Sequence, residues 1–93
     1  MKVKEIEQMP TILLCKGWRI FFFANEGNEP IHVHCRQGNA KGEFWILPDE
    51  YEIKKAYVRY MTRREERQIR KILFDHLDEI VEAWNKFQEG ANG

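Results

Sequence analysis

Cysteine is scarce in this chain of 93 residues: Cys15 and Cys35 are the two present, and they lack Cys-x-x-Cys spacing. Such a pair is too few to imply a disulfide scaffold, and two buried thiols are the plain reading. Net charge is missing too. The 15 Lys and Arg residues are matched by 15 Asp and Glu, so the whole molecule is no basic nucleic-acid binder by charge alone, and any such role needs local asymmetry. Long apolar runs are absent. None approaches the roughly 18 residues of a membrane span, and Met1-Lys2-Val3-Lys4-Glu5 is not followed by a signal-type apolar stretch. The expected place is the cytoplasm, with no membrane contact. No internal repeat is visible.

What the chain does have is apolar and aromatic material, 43% and 13% of its residues, ample for one small folded domain. Residues 1–8 mix charges and read as an N-terminal extension, with Met9 as an alternative start. Residues 9–89 read as the domain, and the Gly-rich 90–93 as a disordered tail. Thr11 to Cys15 and Trp18 to Ala24 are apolar runs joined by Lys16-Gly17, which predicts a hairpin. This register sets Cys15 against Trp18, Leu14 against Arg19, Leu13 against Ile20 and Ile12 against Phe21. Both faces of the second strand are then apolar, the mark of a strand covered on both sides. One helix cannot cover both, so a partner chain or a second copy is expected on the other face, with the N-terminal segment as the alternative.

After a loop at Asn25–Pro30, Ile31 to Gln37 and Ala40 to Leu47 form a second hairpin across Gly38-Asn39. Here the register separates two faces. Ile31, Val33, Cys35, Phe44 and Ile46 make one apolar; His32, His34, Arg36, Lys41, Glu43 and Trp45 make the other polar and aromatic. A one-residue slip would mix them. Tyr51 to Tyr60 fits a helix about as well as a strand, and a short edge strand or irregular crossing is expected. Thr62-Arg63-Arg64-Glu65 has the form of a capping box, and behind it Ile69, Ile72, Leu73, His76, Leu77, Ile80, Val81, Trp84 and Phe87 keep helical spacing. One long helix is the simplest reading, with a break near Asp75–Asp78 as the alternative, Asp78 then serving as a second N-cap. The stripe is core and Trp84 its anchor. The expected fold is α+β: a mostly antiparallel sheet of about four strands in two hairpins, with one long C-terminal helix packed on one face.

Chemistry concentrates at Pro30-Ile31-His32-Val33-His34-Cys35. Residues two apart on a strand share a face, so the two imidazoles project side by side. Three readings stay open. One imidazole could act as general base and the other as acid, with Arg36 holding a phosphate and Glu43, across from His34, orienting it. His32, His34 and Glu43 could ligate a metal, although the spacing supplies no fourth ligand and Cys35 points away, so neither metal nor cofactor is expected. Or the face could be a polar surface with Trp45 stacked on His32. A second candidate is the basic start of the helix, where Arg63, Arg64, Arg67 and Arg70 could meet an acidic partner or a phosphate backbone. Its bland alternative is a solvated face.

Met9-Pro10-Thr11-Ile12, the aromatic second strand, Asn25-Glu26, Pro30-x-His32-Val33-His34, Trp45-x-x-Pro48, Thr62-Arg63-Arg64-Glu65 and Glu82-Ala83-Trp84-Asn85 together resemble the domain of unknown function 4160 family of small bacterial proteins, over about residues 9–88. Order and spacing carry the resemblance more than any single string. It implies membership in compact two-gene operons, commonly beside a domain of unknown function 2442 protein, similar to toxin–antitoxin pairs. From it follows the expectation of a protein-binding component that pairs with the operon-encoded partner or with itself. The alternative is a metal-independent ribonuclease-like toxin using the His-x-His face on RNA. The resemblance transfers no catalytic residues.

Overall fold

The computed structural model describes residues 11–22 and 30–92, with side chains to residue 88. The extension at 1–8, Phe23 and nearly all of the Asn25–Pro30 loop lie outside the described residues. Five antiparallel strands follow in chain order across one sheet: β1 (Thr11–Cys15), β2 (Trp18–Phe21), β3 (Ile31–Gln37), β4 (Ala40–Leu47) and β5 (Glu52–Arg59). Two helices complete the fold, α1 (Arg63–Asp75) and α2 (Leu77–Asn92). The sheet thus has one strand more than the sequence suggests, and the long helix is two.

Turn chemistry explains both hairpins. Lys16 and Gly17 both take positive φ, 51° and 86°, as a type I′ turn requires. Of the second pair Gly38 alone does so, at φ 60°, the pattern of a type II′ turn. Across that turn the register is the expected one, from Arg36 opposite Lys41 to His32 opposite Trp45. In the first hairpin Cys15, Leu14 and Leu13 face Trp18, Arg19 and Ile20 as expected. Phe21, however, pairs with Thr11 and not with Ile12, because the ladder is irregular between Thr11 and Leu13. A bulge of this kind shifts pairing by one residue without disturbing the turn.

β5 departs from simple alternation for a related reason. Glu43 pairs with Tyr57 but Phe44 pairs with Lys55, leaving Ala56 extra in β5. Alternation therefore breaks in mid-strand: Ile53 faces the core, while Tyr57 and Arg59 lie opposite Glu43 and Lys41 on the other face. Neither a strand pattern nor a helix pattern runs unbroken through such a segment.

The core lies between the sheet and the helices. Trp18, Ile20 and Phe22, then Val33, Cys35, Phe44, Ile46 and Ile53, meet Ile69, Ile72, Leu73, Leu77, Ile80 and Trp84. Trp84 is the anchor the stripe predicts, packing edge-on against Phe22 at 5.0 Å. Trp18 is fully buried and its indole Nε1 donates to Gln68 Oε1 at 2.9 Å, tying β2 to α1. Phe21 faces away from the helices yet is only 4% exposed within the single chain. Its ring stacks on His34 at 5.5 Å and carries the Arg19 guanidinium at 4.2 Å. Phe21 is therefore buried within the single chain; Phe23, the other aromatic expected on that face, lies outside the described residues.

The capping box is present, with Thr62 Oγ1 accepting from the Glu65 amide at 3.0 Å and Glu65 Oε1 accepting from the Thr62 amide at 2.9 Å. Thr62→Ala is expected to cost about 1 kcal/mol, which a denaturant titration against wild type measures. The break in the helix falls at His76, whose φ of −115° and ψ of 26° leave the helical region. Asp78 lies inside the first turn of α2 and is not its cap. The His76 imidazole is instead paired with Glu79.

Candidate functional site

The site is built on the sheet face that the helices leave uncovered. Cross-strand partners share a face, so the register lays out its rows. The first holds Leu14, Arg19, Arg36, Lys41 and Arg59; the second Thr11, Phe21, His34, Glu43 and Tyr57; the third His32, Trp45 and Lys54. The expected set His32, His34, Arg36, Glu43 and Trp45 is brought together here. Lys41 lies on it as the β3–β4 register predicts, and Arg19, Tyr57 and Arg59 join it from β2 and from beyond the bulge in β5.

His32 and His34 lie with ring centroids 6.0 Å apart and their planes 69° to each other. Their ligand-capable nitrogens and a Glu43 carboxylate oxygen all fall within 4.8 Å of one another, and His34 Nε2 is 3.9 Å from Glu43 Oε2. His32 Nδ1 sits 3.2 Å from the Pro30 carbonyl. With the proton on Nδ1, that contact is a donated hydrogen bond that fixes the tautomer and turns the Nε2 lone pair toward the site. Trp45 packs on His32 at 5.0 Å, and Trp84 reaches within 5.9 Å from the helix side. Both imidazoles are largely buried, 7% and 8% exposed, but under the polar face and not in the helix-side core. His34 opens onto a cleft of about 170 Å³ lined by Arg19, Phe21, Arg36, Lys41 and Tyr57.

Burial first, and the neighbouring His32 second, lower the His34 pKa from 6.5 to about 4. At neutral pH its imidazole is uncharged and its lone pair can accept a proton or a metal. Cys35 lies on the opposite, core face, where burial raises its pKa to about 12. That thiol is protonated and inert, a packing residue. The His34 shift has a consequence for folding. The unfolded chain protonates this imidazole below about 6.5, the folded chain only near 4, so the folded state loses stability as pH falls through that window. A urea titration series is expected to show wild type losing stability relative to His34→Asn at a slope approaching about 1.4 kcal/mol per pH unit, the value for one proton.

Two chemistries fit this geometry. His32, His34 and Glu43 are the nitrogen and oxygen donors of a three-ligand metal site with an open position, and they would hold a divalent transition ion as a Lewis acid. The same two imidazoles stand beside Arg19, Arg36 and Lys41, a cationic setting in which acid–base chemistry on a phosphodiester is the alternative. The surrounding positive charge opposes a dication and favours an anion, so the second fits the face better.

The helix arginines are elsewhere. Arg63, Arg67 and Arg70, with Lys55 and Glu66, line a shallow cleft of about 300 Å³ on the helix side. Lys55 there pairs with Glu66 at 3.1 Å, and the Arg70 guanidinium lies 5.9 Å from the Phe74 ring centre. Arg64 is exposed but is not among the residues lining that cleft. Among the described residues no helix is long and apolar enough to cross a membrane.

No curated protein and no solved structure is matched by the chain. A family model described as domain of unknown function (DUF4160) matches residues 17–85, well over half of the sequence, from the β1–β2 turn into α2. The match includes every residue of the His-bearing face from Arg19 to Arg59, and on it the chain belongs to the DUF4160 family.

Proposed function

We propose that the chain is the RNA-directed component of a toxin–antitoxin-like two-gene module, cleaving RNA without a metal through His32 and His34. The observation that carries this reading is the convergence of the two imidazoles with Glu43 beside the cleft lined by Arg19, Arg36 and Lys41. Neutral His34 takes the proton of a ribose 2′-hydroxyl, the 2′-oxygen attacks the adjacent phosphorus, and the bond to the 5′-oxygen breaks. His32, in its protonated form, gives that leaving oxygen its proton. Arg36 offsets charge developing on the non-bridging oxygens, and Glu43 holds the His34 ring. The products are a 2′,3′-cyclic phosphate and a 5′-hydroxyl.

A protein-binding role is compatible with this and has its own observation. The helix-side cleft, where Arg63, Arg67 and Arg70 stand beside the Lys55–Glu66 pair, suits an acidic segment of an operon-encoded partner, which would restrain the RNA-directed face. The cellular test induces wild type and a His32→Ala/His34→Ala variant, each with and without the neighbouring gene. Wild type arrests growth, the variant does not, and the neighbour relieves the arrest. Equal arrest by both proteins removes catalysis by the pair.

A further inference from the structure

We infer that the open sheet face is a binding track for single-stranded RNA, with Arg19, Arg36, Lys41 and Arg59 holding successive backbone phosphates and Tyr57 and Tyr60 receiving bases. The inference rests on the RNA-directed reading above for the identity of the strand, and on independent geometry for the track itself.

Four cations are direct cross-strand neighbours in one row: Arg19 opposite Arg36, Arg36 opposite Lys41, and Lys41 opposite Arg59. At about 4.8 Å per strand they span about 14 Å across β2 to β5. Like charges placed directly opposite each other destabilise a sheet, and this row has no acidic member. Among the described residues, Arg36, Lys41 and Arg59 have no carboxylate within ion-pair distance. In a chain whose charges sum to zero, such a row costs stability without an anion and gains it from one. A polyanion with regularly spaced charges supplies Arg36, Lys41 and Arg59 together and reaches, at the end of the row, Arg19, whose Nε also donates to Thr11 Oγ1 at 2.8 Å.

Two clefts border the row and share Arg36 and Lys41. One leads to His34 and Tyr57; the other, of about 340 Å³, is lined by Asn39 and Tyr60. Tyr57 is 38% exposed and Tyr60 79%, so each presents an aromatic surface beside the cations. Arg59 lies 5.6 Å from the Tyr57 ring centre. Cationic groups that follow a backbone, flanked by aromatic platforms for unstacked bases, are the requirements of single-strand binding. An acidic peptide would use the cations and leave the two tyrosines without a role. On this track the phosphate at Arg36 lies next to His34, which places the scissile bond.

The test measures fluorescence anisotropy of a short, labelled 2′-O-methyl oligoribonucleotide, which cannot be cleaved by 2′-oxygen attack. Four phosphate contacts predict that log K falls against log salt with a slope of about −2.8, at about 0.7 per contact on a single strand. Arg36→Ala and Arg59→Ala, both at exposed positions, each weaken binding and flatten the slope by about 0.7. Tyr60→Ala weakens binding and leaves the slope unchanged. Lys86→Ala on α2 removes one positive charge from another surface and changes neither. Unaltered slopes in Arg36→Ala and Arg59→Ala overturn the track, as does equal affinity for duplex RNA or for polyglutamate. Track-dependent binding with no cleavage of natural RNA upholds this inference and overturns the catalytic reading. Cleavage that is indifferent to the row does the reverse.

Discussion

Replacing both His32 and His34 with asparagine is expected to lower the rate of RNA cleavage by at least about 10²–10⁴-fold, the usual contribution of a positioned acid or base. Asparagine keeps a polar, hydrogen-bonding side chain under the sheet face, so the fold and the phosphate row persist. Binding of the uncleavable oligonucleotide should therefore survive, and the loss should fall on kcat and not on KM. The single variants separate the roles. His34 is held neutral by burial and by His32, so His34→Asn removes the proton acceptor. His32→Asn removes the proton donor, and a leaving group that needs no protonation should restore much of its rate. Stopped-flow cleavage of a natural oligoribonucleotide, with circular dichroism to verify folding, measures both.

The largest structural effect is expected at Trp18. Its ring is fully buried in the core that joins sheet to helices, and its indole holds Gln68 on α1. Trp18→Ala loses the transfer energy of the ring and leaves a cavity, about 3–5 kcal/mol. That is a large share of the about 5–15 kcal/mol available to a domain, and at about 4–8 °C per kcal/mol it lowers the Tm by tens of degrees. Gln68→Met keeps the ring buried but leaves its indole N–H without that acceptor, for about 1–3 kcal/mol. Thermal melts of the two variants distinguish packing from hydrogen bonding at this joint.

How legible the molecule is from its residues follows from where local rules hold. The β3–β4 register is set by a two-residue turn and by the separation of Val33, Cys35, Phe44 and Ile46 from His32, His34 and Glu43, so pairing can be read residue by residue. The same logic gives the neighbours of the histidines and the burial of Cys35. It fails where a residue is inserted. The irregularity beside Ile12 moves Phe21 onto Thr11, and the extra Ala56 breaks the alternation of β5. Hence no local pattern places Tyr57 and Arg59 at the site. Arg19 escapes for another reason: residues 22–30 separate β2 from β3, too many for their number to dictate the register. The helix break at His76 has no Gly or Pro to announce it, and the apolar stripe runs through it without losing phase.

The metal reading and the acid–base reading use the same three side chains, so substitution alone does not separate them. The face has one feature that does, its cationic surroundings, which favour a phosphodiester over a dication. The decisive measurement is mass spectrometry of an otherwise 2′-O-methyl oligonucleotide with a single ribonucleotide, incubated with the purified protein in excess EDTA. Cleavage is expected only 3′ to that ribonucleotide, ending in a 2′,3′-cyclic phosphate and a 5′-hydroxyl and absent from the His32→Asn/His34→Asn variant. An intact oligonucleotide in EDTA that is cut when zinc is restored would contradict it and assign His32, His34 and Glu43 to a metal.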